Sequence, residues 1–110
     1  MPLFERARVE VYLPDAAHPA YSQYLAILQR EFTFAFGGCS LVRGLEGSYL
    51  SRLGDEMHYR VNLLYSDAPF DFKHHFEILS HYADELRDAA LQALEEEAIL
   101  VAVYPVYHAQ

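Results

Sequence analysis

Residues 98–108, AILVAVYPVYH, decide how this chain closes. The segment is rich in β-branched and aromatic residues and apolar on both faces, which predicts a strand. Pro105 has no N–H to offer a ladder, so the strand belongs at a sheet edge, at least near its end. A closing strand needs a partner, and residues 6–13, RARVEVYL, are the natural one. Ala7, Val9, Val11 and Leu13 alternate with Arg6, Arg8, Glu10 and Tyr12, the period-2 pattern of a half-buried strand.

Between these ends the pattern changes period twice. Pro14 and Asp15 stop the first strand. Pro19 suits the first turn of a helix, where its missing N–H costs nothing. Tyr21, Tyr24, Leu25, Leu28 and Phe32 then recur at helical spacing, predicting a helix over 19–34 that Gly37 and Gly38 end. Residues 40–52 form a strand interrupted by Gly44 and Gly47, which suggests bulges at a sheet edge. LGDE at 53–56 is a hairpin turn. In EMHYRVNLLY at 56–65, alternation points Met57, Tyr59, Val61, Leu63 and Tyr65 inward, and Glu56, His58, Arg60 and Asn62 outward. SDAPFD reads as a loop ending at Asp71, a helix N-cap. A helix over 72–96 follows, with Phe72, Phe76, Leu79, Ala83, Leu86, Ala90 and Leu94 in one stripe.

The order strand, helix, strand, strand, helix, strand predicts an α+β, ferredoxin-like βαββαβ domain over residues 1–110: a four-stranded antiparallel sheet with both helices on one face. That topology makes the second and fourth strands the edges, where the glycine-broken strand and the Pro105 strand already belong. The other face is left open. Tyr12, His58, Arg60, Asn62, Leu64, Leu100, Ala102 and Tyr104 are expected on it, and so much apolar surface predicts a homo-oligomer, a dimer or trimer, joined sheet to sheet or through strand edges. The bland alternative is a small patch partly covered by the tail VYHAQ.

Composition narrows the function. Sixteen acidic residues against eight basic ones give a formal charge of −8, which opposes nucleic-acid binding. No apolar run approaches the ~20 residues of a membrane span, and the start MPLFERARVEV has no signal-like apolar stretch, so a cytoplasmic protein is expected. The lone Cys39 precludes an internal disulfide and a thiolate metal cluster; without a neighbouring Lys or His in sequence it reads as a buried free thiol.

Motifs that carry chemistry are few. The glycines of FGGCSLVRGLEG, residues 36–47, follow a helix, whereas a phosphate cradle uses N–H groups at a helix start. They read as cap and bulges. His74, Glu77, His81, Asp84, Glu85 and Asp88 line one stripe of the second helix. Such a set is metal-compatible, with His74 and His81 at its heart, but it lies opposite the apolar stripe and reads as a solvated face; no metal and no cofactor is expected. In the loop LPDAAHPAYS, Asp15, His18 and Ser22 are possible ligand contacts, with helix entry at His18–Pro19 the simpler account. His58, Arg60 and Asn62 alternate on one strand and, with Tyr12 or Tyr104, form the candidate small-molecule pocket.

The run Gly37-Gly38-x-Ser40, then Gly47-x-Tyr49, Gly54 and Glu56, resembles small bacterial proteins that carry GG-x-(T/S) and G-x-(W/Y) before a turn and an alternating strand. The resemblance spans residues 37–65 and implies a ferredoxin-like fold without a particular activity. At fold level the chain is also similar to PII-type nucleotide sensors, whose long loop is here the brief RLGD turn, and to dimeric α+β-barrel monooxygenases, whose His and aromatic residues line an inner sheet cavity. Neither supplies a catalytic residue at a matching position. The leading expectation is an oligomeric binding or regulatory module with a site at His58, Arg60, Asn62, Tyr12 and Tyr104. The alternatives are an α+β-barrel enzyme using His58 as proton shuttle and a metal-binding protein using His74 and His81.

Overall fold

A computed structural model describes residues 3–96 and 98–109. The elements are β1 (Leu3–Pro14), α1 (Pro19–Phe36), β2 (Ser40–Leu50), β3 (Glu56–Ala68), α2 (Phe76–Leu94) and β4 (Leu100–Ala109). The sheet order is β2-β3-β1-β4 and every pairing is antiparallel, the ferredoxin-like topology. The closing strand lies beside the opening one, with Val101 opposite Val11 and Val103 opposite Val9. β2 and β4 are the edges, so Pro105 falls where a missing N–H leaves the ladder intact. The tail does not fold over the open face: Val106–Ala109 continue β4, and Gln110 lies outside the described residues. Among the described residues no helix is long and apolar enough to cross a membrane.

Both helices pack on one side of the sheet. Val9, Val11 and Leu13 of β1 and Leu64 of β3 meet Leu25, Leu28 and Phe32 of α1 and Leu86, Ala90 and Leu94 of α2. Each such side chain contributes roughly 1.5–3 kcal/mol by leaving water. Local stereochemistry sets α1. The His18 imidazole Nδ1 accepts from the Ala20 N–H, Pro19 is the first helical residue, and Gly37 closes the last turn with φ at 89°. Ser22 donates back to the Pro19 carbonyl, so His18 and Ser22 both serve helix entry. Gly44, with φ at 67°, stands in the bulge where the β2–β3 register shifts between Val42 and Leu45.

Three expectations are corrected. First, β3 runs on through Ser66, Asp67 and Ala68, pairing with Val9, Arg8 and Ala7, where a loop was expected. Second, Asp71 does not cap α2. Its carboxylate accepts from the Lys73 and His74 N–H groups and holds a separate turn, so the helix begins at Phe76 and, at the other end, stops at Leu94. Third, the faces of β3 are reversed. Register puts Asn62, Leu64, Ser66 and Ala68 on the helix side with Leu13, Val11, Val9 and Ala7. Tyr59, Val61, Leu63 and Tyr65 face away from the helices. The polar residues of the inner face are accommodated because each has a backbone partner: the Gly44 N–H donates to Asn62 Oδ1 at 3.0 Å, and Ser66 Oγ donates to the Gly38 carbonyl at 2.5 Å. The more apolar face of β3 is therefore the one its own helices leave uncovered.

Past the helices, β2 and β3 continue as a two-stranded arm. Every residue from Arg52 to Arg60 is exposed. The tip is closed by the Ser51 N–H donating to the Asp55 carbonyl and the Gly54 N–H to the Ser51 carbonyl.

Candidate functional site

The open face of the sheet divides into a polar half and an apolar half. Arg8, Glu10 and Tyr12 project from the central strand β1, with Tyr104 of β4 opposite Arg8, and Asp67 and Tyr65 of β3 on the other side. Glu10 is only 7% exposed, and its carboxylate is held at both oxygens. Tyr12 Oη donates to Oε1 at 2.9 Å and Tyr104 Oη donates to Oε2 at 2.6 Å. The same hydrogen bond to an anion pushes the Tyr12 phenol up to about 12 and raises that of Tyr104.

One step along β1, Arg8 grips Asp67 with two parallel bonds, Nε to Oδ1 at 2.6 Å and Nη2 to Oδ2 at 2.9 Å. Such a fork is the strong form of the ion pair. It raises Arg8 further above its ordinary value and holds Asp67 below the usual carboxylate range. His108 Nε2 lies 2.7 Å from Asp67 Oδ2, and the Arg8 guanidinium rests 4.5 Å from the centre of the Tyr65 ring. These side chains form a network across three strands in which each charge has a partner.

The apolar half begins at Tyr12. Leu45, Tyr59, Val61 and Leu100, with Tyr12 and Pro14, line a groove of about 650 Å³ on this face. Tyr59 is held flat because Gly47 opposite it has no side chain. A Cβ there would sit 2.2–2.3 Å from the end of the Tyr59 ring and its hydroxyl, a distance no real Cβ shows. Beyond the groove Tyr49 and Met57 carry the apolar strip along the arm.

The five residues expected to share a pocket are therefore parted. Tyr12 and Tyr104 stand on the open face, joined through Glu10. Asn62 is buried on the helix side, where it supports the bulge. His58 and Arg60 share the parity of Asn62 and lie on that same side, past the ends of the helices. They do line one cleft, of about 550 Å³, with Asp15 and Glu46. Arg60 Nη2 is 3.6 Å from Asp15 Oδ2, and the Asp15 N–H donates to the Arg60 carbonyl. The His58 side chain is 76% exposed, its nearest charged neighbour being Glu56 at 4.0 Å. On the second helix, His81 pairs with Glu85 and is exposed. His74 pairs instead with Asp71, in the turn before the helix. Among the described residues no group of three or more His, Cys, Asp or Glu side chains is placed to hold a metal ion. Cys39 is half-buried, its sulfur near Thr33 and the Gln29 carbonyl.

Sequence reasoning placed Arg8 and Glu10 on the correct face of β1 without assigning them a role. Their signal was local: four polar or amphipathic residues, Arg6, Arg8, Glu10 and Tyr12, in succession on one face of a central strand. Asp67 and His108 carried no such signal: Asp67 falls in the segment expected to be a loop, and His108 ends a closing strand read as apolar on both faces. No family model, curated protein or solved structure matches the chain.

Proposed function

We propose that this chain is a cytoplasmic homo-oligomeric binding module whose copies meet through their open sheet faces, with the groove beside Tyr12 as its small-ligand site. The observation that carries the reading is the inversion of β3, which leaves Tyr59, Val61, Leu63 and Tyr65 without cover from their own helices. Leu100 and Tyr104 extend that surface on β4, and Val42 and Leu45 on β2. Exposed apolar patches of this extent usually mark an interface.

Two further features support the reading. Arg8 and Asp67 pair with each other and the buried Glu10 carboxylate is held by two tyrosine hydroxyls, so a second copy can cover these groups without leaving them unpartnered. Four strands of 10 to 13 residues make a plane of about 700 Å², at ~3.3 Å per residue and ~4.8 Å between strands. A stable interface takes ~800 Å² from each partner, so the face, arm strands included, comes close to that size. Sheet-on-sheet association is also the geometry of the dimeric α+β-barrel proteins the chain resembles. The enzyme reading drawn from them, with His58 as proton shuttle, is not adopted, because the His58 side chain is 76% exposed and lies on the helix side of the sheet, away from the face that would enclose such a cavity. The short turn at Ser51–Asp55 leaves no long loop of the PII kind, so nucleotide sensing is not proposed.

Sedimentation of the purified chain tests the assembly. The expected mass is a small multiple of 12.7 kDa. Leu100 is 60% exposed in the single chain, so Leu100→Glu should leave the helical circular dichroism intact while reducing the mass to one chain. A strictly monomeric unsubstituted protein overturns the reading.

A further inference from the structure

We propose that the open-face groove takes a small uncharged aromatic alcohol, seating its ring between Leu45, Val61, Leu100 and Tyr59 and donating its hydroxyl proton to Tyr12 Oη. The inference rests on the groove being the module's ligand site and adds the chemical class of the ligand. Its volume, about 650 Å³, lies in the range of small-molecule sites. Its walls are aliphatic apart from the tyrosine rings, and the Tyr59 ring, laid across Gly47, offers an aromatic surface for stacking.

Polarity follows from where one proton goes. A tyrosine hydroxyl has one hydrogen to donate, and that of Tyr12 is committed to Glu10 Oε1. Glu10 cannot turn away, because it is buried and its other oxygen is held by Tyr104. The Tyr12 oxygen is left with lone pairs alone and can only accept, so the ligand must bring the proton. Among the described residues no cationic side chain lines the groove, so a carboxylate or phosphate would enter without a counter-charge. An ammonium group would have to lose its water against apolar walls, which disfavours a charged donor relative to a neutral one.

The test compares p-cresol with 4-methylanisole, which keeps the ring and removes the donor, by methyl-resolved NMR titration of the full-length chain in its native assembly. p-Cresol is expected to shift the Val61 and Leu100 methyl signals and to bind about three- to tenfold more tightly, the worth of one net hydrogen bond. In Tyr12→Phe the two compounds should bind equally. Glu10→Gln is a second variant with a different packing cost. Its amide can donate to Tyr12 Oη and free that hydroxyl's own proton, so the preference for p-cresol should shrink there too. Equal affinities in the unsubstituted protein, or a preference that survives both variants, overturn the donor inference while the groove remains a ligand site. Failure of both compounds to bind overturns the ligand site with it. Sedimentation of the same samples reports assembly independently of either result.

Discussion

A charged side chain on a central strand must find partners on its own chain or stay hydrated, and Glu10 and Asp67 have both found partners. Each is held by groups far away in sequence, Glu10 by Tyr104 and Asp67 by Arg8 and His108. Asp67 makes the sharper test. Its carboxyl is held below the ordinary range chiefly by the Arg8 hydrogen bonds. A group with a depressed folded-state value stabilises the fold above its unfolded value and loses that contribution as pH falls through the folded one. Asp67→Asn should therefore cost about 1.5–3 kcal/mol at pH 7, the worth of hydrogen bonds to a charged group. The difference from the unsubstituted protein should begin to shrink below about pH 4, where the unfolded carboxyl takes up its proton, and close only as pH falls through the lower folded-state value. Urea unfolding of both proteins across that range measures it; a difference that stays constant with pH would mean the ionised pair contributes nothing.

At the scale of the elements, the chain is most legible where backbone stereochemistry acts over a few residues. Pro19 starting α1, Gly37 ending it in the left-handed region, Gly44 in the bulge and Pro105 on an edge strand were all readable, because each follows from a φ value or a missing N–H of the residue itself. The start of α2 was not. Asp71 has the chemistry of a cap but spends it on a turn of its own one step earlier. The face of β3 was misread for a related reason. Alternation reports which set of residues is more apolar, and it equates that set with the inside. Here the helix side tolerates Asn62 and Ser66 because backbone groups at Gly44 and Gly38 satisfy them. Asn62→Ala should strand the Gly44 N–H in the bulge and cost about 1–3 kcal/mol. Faster amide exchange confined to β2 around Gly44 would locate the loss; protection unchanged there would show that the bulge holds without Asn62.

At the scale of the whole molecule, one side of the sheet is finished and the other is not. The helix side has a core that draws on both helices and the central strands, from Val9 in β1 to Ile99 just before β4. The open side carries an apolar strip that continues along an exposed arm, in a body measuring 47 × 30 × 25 Å. If copies join through that side, folding and association are linked, and the thermal midpoint should rise with protein concentration. Scanning calorimetry over a hundredfold dilution checks this, and a midpoint indifferent to concentration would count against a reversible assembly. The sequence by itself determined the element order, the edge strands and the ferredoxin-like topology, since these depend on hydrophobic period and on glycine and proline geometry within short windows. Tertiary structure alone decided which face of β3 meets the helices and that Glu10, Tyr12 and Tyr104 form one hydrogen-bonded group. Those outcomes depend on strand register, which brings residues 94 positions apart into contact and which no local pattern encodes.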